Sequence, residues 1–150
     1  MQTVSFPQTI PSAIVIPPLA ELLSLPEFEI NVLIARVLGH RPITEYTGTQ
    51  IGFTPEFHRD HPHTVWVDKG DGCIEQCCYT RDPGDATAVI FQFKLSLLPH
   101  PYLDAWAASA GPSLDINSDS IEVTGPHIAH QQPFLAAMLC LLDSVRDDVL

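Results

Sequence analysis

The chain has 150 residues, 45% of them hydrophobic and 17% charged, and its seven Lys/Arg against eighteen Asp/Glu give a formal charge of −11. Enough apolar surface is present to offset chain entropy in one domain, which argues against a disordered protein. The charge opposes a phosphate backbone and leaves no basic cluster, which argues against direct nucleic-acid binding.

The N-terminus MQTVSFPQTIPSAIVIPP lacks both a basic n-region and an unbroken apolar stretch, and no apolar run reaches the roughly 18 residues of a membrane span. The expectation is a soluble, unexported, cytoplasmic protein without membrane association. In that setting Cys73, Cys77, Cys78 and Cys140 are expected as free thiols.

Residues 1–23 carry Pro7, Pro11, Pro17 and Pro18 and are predicted to form an extended arm, because proline fixes φ and withholds backbone donors. A short strand is expected at Ala13–Ile16. The arm's Ile14, Val15, Ile16 and Leu19 are too apolar for a solvated tail, so it is expected to pack across residues 24–150, a single domain, or onto a second subunit.

The first helix is predicted in LPEFEINVLIARVLGH. Ser24 and Glu27 have capping-box spacing, Ile30, Leu33, Ile34, Val37 and Leu38 share a face, and Gly39 supplies a left-handed stop. Residues 41–63, rich in Gly and Pro, read as a long irregular insertion. TVWVDKGDGCIEQCCY reads as a hairpin with its turn at KGDG.

A second helix is predicted in TRDPGDATAVIFQFKLSLL, with Asp82 as cap, Pro83 at the first position and Asp85 at the positive dipole end. Its buried face comprises Ala86, Val89, Ile90, Phe93 and Leu97, and Pro99 with Pro101 ends it. YLDAWAASA and SIEVTG are predicted as antiparallel neighbours across a polar turn. A last helix starts at Pro133 and places Phe134, Leu135, Met138, Leu139, Leu142 and Val145 on one side, with Cys140 as a small buried hydrophobe. The expected fold class is α+β: a small antiparallel sheet of two hairpins, sandwiched or covered by three helices.

NVLIARVLGH, the tryptophan-containing hairpin, the following YTRDPGDATAVI and the terminal QQPFLAAMLCLL occur in an order that resembles the phage ABA-sandwich family, which includes NinX-like products of phages and prophages. The likeness spans Leu25 to Leu142 and is carried by capping and core residues. The Pro-rich arm and the insertion have no clear counterpart, and Arg81 stands where the family often has serine or threonine. The resemblance implies a small accessory protein without an assigned reaction or cofactor, and it carries over no site residues.

FHRDHPHTVWVDKGDGCIEQCCY concentrates imidazoles and thiols. Neighbouring residues of a strand face opposite ways, so Cys77 and Cys78 are not expected to share an ion, and Cys73 is two strand repeats of about 6.6 Å each from Cys77. His58, His61 and His63 lie in a loop and form the candidate metal set, although no CxxC or HExxH framework accompanies them. Asp82 and Asp85 are assigned to capping, and Trp66 and Trp106 to the sheet core.

No phosphate-binding or nucleophile-elbow motif is present. The leading expectation is a non-enzymatic phage or prophage accessory protein, without a cofactor, that binds a host or defence-system protein through the 41–62 segment and the arm. One alternative is a small metal- or thiol-dependent enzyme centred on the histidine loop, with Cys77 or Ser109 as conceivable nucleophiles. The other is a structural homo-oligomer formed by arm exchange.

Overall fold

The computed structural model describes residues 14–45, 53–70, 72–100, 103–110, 114–116, 121–123 and 128–149. Among these are five helices, two three-stranded antiparallel sheets and a two-stranded ribbon, so the fold is α+β as expected. The helices are α1 (Leu19–Leu22), α2 (Glu27–Val37), α3 (Pro55–Asp60), α4 (Pro83–Phe93) and α5 (Pro133–Val149). The strands are β1 (Arg41–Ile43), β2 (Val65–Asp68), β3 (Ile74–Cys77), β4 (Leu95–Pro99), β5 (Trp106–Ala110), β6 (Leu114–Ile116), β7 (Ile121–Val123) and β8 (Ile128–His130).

The first sheet has the order β1-β2-β3, the second β4-β5-β8, and β6 pairs with β7 alone. Helix α5 packs on all three strands of the second sheet and also against α1, α2 and α4, while α2 lies on β1 and β2. Enclosed in this way, α5 buries every residue from Ala136 to Leu142. The single apolar stripe read from the sequence is therefore too narrow: a helix covered on several sides needs apolar residues around most of its circumference.

The arm is anchored by Ile14, Ile16 and Leu22, all buried, while Val15 between the first two is 84% exposed. Residues 14–16 are extended without pairing, so the strand expected there does not form in the described part of it. Ala13 lies outside the described residues. Helix α1 also interrupts the arm that was expected to be extended throughout, its Pro18 standing outside the helix, where a missing N–H is no loss.

Helix α2 begins after Pro26 without a side-chain cap. The capping box does not form: Ser24 Oγ donates to the Glu21 carbonyl at 2.8 Å, and Glu27 is engaged by Arg81. Gly39 does provide the left-handed exit, at φ +83°.

The described parts of the 41–63 segment, residues 41–45 and 53–63, are more ordered than their composition suggested, and the rest of that expected insertion lies outside the described residues. Arg41–Ile43 adds a strand to β2, with Arg41 opposite Asp68 and its guanidinium 2.8 Å from that carboxylate. Thr54 caps α3 by accepting from the Phe57 N–H, and Pro55 occupies the first turn. Phe53 is 1% exposed. A short strand and a six-residue helix carry little periodicity, which is why the sequence reads as a loop.

Helix α4 starts as predicted, Asp82 accepting from the Asp85 N–H at 2.9 Å with Pro83 in the first turn. It ends at Phe93 and not near Pro99, because Lys94 adopts a left-handed conformation at φ 55°. Leu97 then belongs to β4 and not to the helix face. This strand supplies β5 with the partner that the sequence had assigned to the SIEVTG segment: β5 pairs with β4 on one side and β8 on the other, and β7 pairs with β6. Trp106, expected in the sheet core, is 37% exposed at the end of β5.

Among the described residues no helix is long and apolar enough to cross a membrane.

Candidate functional site

The β2–β3 hairpin forms as expected, and its return strand continues its alternation beyond Cys77. Cys77 and Tyr79 are buried on one side, and Cys78 and Thr80 turn towards Asn31 on α2. This alternation divides the surroundings of the hairpin into two sites.

On the α2 side, Asn31 is fully buried. Its side-chain oxygen accepts from the Tyr79 and Thr80 N–H groups at 2.7 and 3.2 Å. Its amide nitrogen donates towards the His63 carbonyl at 2.9 Å, Thr80 Oγ1 at 3.0 Å and the Glu27 carbonyl at 3.1 Å. One side chain thus joins α2, the chain entering β2 and the β3–α4 connection. Glu27 reinforces the junction through a bidentate pair with Arg81, at 2.9 and 2.7 Å. Burial pushes the Glu27 carboxyl up, but the hydrogen bonds from Arg81 and Thr80 and the nearby His63 and Arg81 outweigh it and hold the group below its ordinary range. The Asn31, Thr80, Glu27 and Arg81 side chains satisfy one another here, which gives the junction a structural role.

The histidine segment is distributed over packing roles. His58, on α3, meets Phe28 edge-on at 4.7 Å and Phe53 at 6.2 Å. His61 stacks at a tilt on Phe57, 4.5 Å away, and Phe57 also contacts Trp66. His63 is held through its carbonyl by Asn31. Among the described residues no group of three or more His, Cys, Asp or Glu side chains is placed to hold a metal ion. All four cysteines are free. Cys140 is buried in α5, where burial pushes its thiol up to about 12. Ser109 is buried within β5.

On the other side of the hairpin lies a cavity of about 210 Å³, lined by Leu38, His40, Lys69, Tyr79, Asp85, Ala88, Val89 and Gln92. The residues after α2, the hairpin turn and one face of α4 each contribute to the walls. The Tyr79 hydroxyl and the Gln92 amide nitrogen are themselves buried beneath the lining, and the hydroxyl interacts with the Cys77 thiol through a side-chain hydrogen bond. Lys69 donates to Glu75 at 3.1 Å, and Asp85 accepts from the Cys78 N–H at 2.9 Å.

Electrostatics in the cavity follow from burial and neighbours. Desolvation lowers His40, with the Lys69 charge adding to it. It raises Tyr79 far above the usual phenol range, helped by Cys77. It also raises Asp85, with Asp82 and Glu75 adding and the Cys78 bond opposing. Burial disfavours the Lys69 ammonium, but the Glu75 bond and the surrounding acidic groups leave it raised. Four shifted groups around one concavity mark a candidate binding site.

Sequence reasoning missed this cavity. Asp85 was read as a dipole partner and Tyr79 only as part of a resemblance, and His40, Lys69 and Gln92 were not singled out. They are separated along the chain and follow no motif spacing, so the sequence holds no local signal for them.

A third feature is a groove of about 360 Å³ between the arm and α2, lined by Ile14, Val15, Pro17, Leu25, Glu29, Val32, Leu33 and Arg36. Among the described residues of the arm, Val15 and Leu23 are large apolar residues that are exposed.

Compared with family models, curated proteins and solved structures, the chain matches none.

Proposed function

We propose that the chain is a non-catalytic accessory protein of the phage or prophage class it resembles, acting inside the host cell by binding a host or defence-system protein through its N-terminal arm. The observation that carries this reading is the arm's two-sidedness: Ile14 and Ile16 are buried while Val15 is 84% exposed at the mouth of the arm–α2 groove. Because neighbours on an extended segment face opposite ways, burying Ile14 and Ile16 turns the branched apolar Val15 outward. One exposed apolar side chain is ordinary, but one beside a groove with an apolar floor offers an anchor point and a pocket together.

The occupant we assign to the groove is an apolar side chain on a partner segment whose basic residues face this chain's −11 charge. Complementarity of that kind accelerates encounter and selects partners. The reading is tested by affinity purification from bacterial lysate with the wild-type chain and with Val15→Asp as baits. A stoichiometric protein retained by the first and lost from the second, with both baits equally folded, supports it. Identical recoveries from the two baits, or none from either, count against it. A wild-type dimer that Val15→Asp converts to monomer in sedimentation would assign the groove to a second copy of the chain instead.

A further inference from the structure

Residues 14–16 have the form of a strand without a neighbour. Ile16 and Pro17 each precede a proline, a position that disfavours the α region, and Pro18 is extended at φ −63° and ψ 160°. Ile14 and Ile16 are each 8% exposed and Val15 is 84% exposed, the alternation of a sheet. All three are β-branched, which suits a pleated, half-buried surface. Yet among the described residues no backbone hydrogen bond is made by Ile14, Val15 or Ile16. Backbone groups of a segment held between core and solvent are ordinarily paired, and an unpaired strand edge is a template for another chain.

Space for such a chain adjoins the arm. Leu25, Glu29, Val32, Leu33 and Arg36 form the wall of the groove opposite Ile14, Val15 and Pro17. The four on α2 fall at i, i+3, i+4 and i+7, one stripe along about 10 Å of helix, a length that about three strand residues also span. Val32 is buried and Leu33 half-buried, and the charged residues stand at the two ends of the stripe. Glu29 and Arg36 are both exposed, and among the described residues neither forms an ion pair, while five of the chain's seven Lys/Arg side chains do. An anion and a cation two turns apart complement a segment that carries the opposite charges at a similar separation.

Building on the reading of this groove as a docking site, we propose that the partner contributes an extended segment that adds to residues 14–16 as a β-strand. Its backbone bonds to the arm, an alternate apolar side chain rests on Val32 and Leu33, a basic residue meets Glu29 and an acidic one meets Arg36. In additions of this kind the backbone bonds give affinity, and the alternate side chains give selectivity. Pro17 and Pro18 have no N–H, so the ladder gains no donor beyond Ile16.

The test is amide hydrogen exchange of the full chain, followed by NMR, alone and with capped synthetic peptides of about six residues. The first peptide alternates valine and threonine between a lysine and a glutamate, the second has glutamate at both ends, and the third is the first with its backbone nitrogens methylated. In the free chain the amides of residues 14–16 are expected to exchange about a hundredfold faster than those in the middle of α2. The first peptide should slow an alternating subset, either Val15 or Ile14 with Ile16, by about tenfold at about ninety per cent saturation. The second should bind about threefold more weakly, and Glu29→Lys, at an exposed position, should reverse that order. The methylated peptide should protect nothing. Slow exchange of residues 14–16 in the dilute free chain, no saturable protection by either unmethylated peptide, equal protection by the methylated one, or protection without alternation each overturns the proposal. Protection that grows with the concentration of the chain alone, together with a dimer in sedimentation, assigns the edge to a second copy and overturns it too. A protein captured from lysate that leaves the arm amides unprotected refutes strand addition but keeps the groove as a docking site. Alternating protection by the first peptide, with no protein recovered from lysate, keeps the strand edge and refutes the host-protein assignment.

Discussion

Asn31→Leu is the substitution from which most is expected. The two side chains have similar shape, so packing around position 31 is largely kept and the effect isolates polar satisfaction. Removing the amide leaves the buried Tyr79 and Thr80 N–H groups without their acceptor at 2.7 and 3.2 Å, and the His63 carbonyl without its donor at 2.9 Å. Each unsatisfied buried group costs about 1–3 kcal/mol, and partial rescue by water or relaxation brings the total to about 4 kcal/mol. That is a large part of the roughly 5–15 kcal/mol that holds an ordinary domain together, and it corresponds to a melting temperature lower by about 8–16 °C. Thr80→Val is the control. It removes one hydroxyl from the same network while sparing the Tyr79 and Thr80 N–H bonds, and should cost about 1 kcal/mol. Urea unfolding followed by tryptophan fluorescence measures both variants, provided the slope with denaturant is unchanged. A loss of less than about 1 kcal/mol for Asn31→Leu would falsify the view that this amide clamps the hairpin exit to α2.

Four further outcomes are expected. Glu27→Gln should cost about 0.5–1 kcal/mol at neutral pH, since Arg81 is half exposed. Folding lowers the Glu27 pKa from its ordinary 4.5, so the contribution of its charge is complete above that value and is lost as pH falls through the folded value below it; acid unfolding of the variant should be correspondingly flatter there, and parallel curves would contradict the assignment. Lys94→Gly should raise stability by about 0.5–1 kcal/mol by relieving a left-handed non-glycine residue at the end of α4, and a lower melting temperature would refute it. Asp82→Ala should lower stability by about 1 kcal/mol through loss of the α4 cap, measurable by the same urea titration. Under a thiol reagent Cys73, exposed on the hairpin, should be labelled in the native state, whereas Cys77 and Cys140, both buried, should be labelled only on unfolding; rapid native labelling of Cys140 would contradict the enclosed position of α5.

The cysteines show how far sequence reasoning reaches. Adjacent thiols on a strand were expected to face opposite ways, and Cys77 and Cys78 do have separate neighbours, Tyr79 and Asp85 for one and Asn31 and Thr80 for the other. That inference needed only the two-residue period of a strand. Histidine spacing supported no comparable inference. Whether three imidazoles converge depends on the path of the chain around them, and here α3 sends His58 towards Phe28 and His61 towards Phe57.

Local chemistry therefore determined the α+β class, the three long helices with their start at Asp82 and exit at Gly39, the hairpin at Val65 to Cys77, and the buried state of Cys140. Each depends on contacts within a few residues or on a regular period, both of which a single sequence contains. Tertiary structure decided the rest: that Leu95–Pro99 leaves the helix to become a strand, that Arg41–Ile43 extends the first sheet, that β5 finds β4 and β8, and that His40, Lys69, Tyr79, Asp85 and Gln92 meet around one cavity. Strand partners and cavity walls are chosen by competition among distant segments for the same hydrogen bonds and the same buried space, and no local pattern records the outcome of that competition.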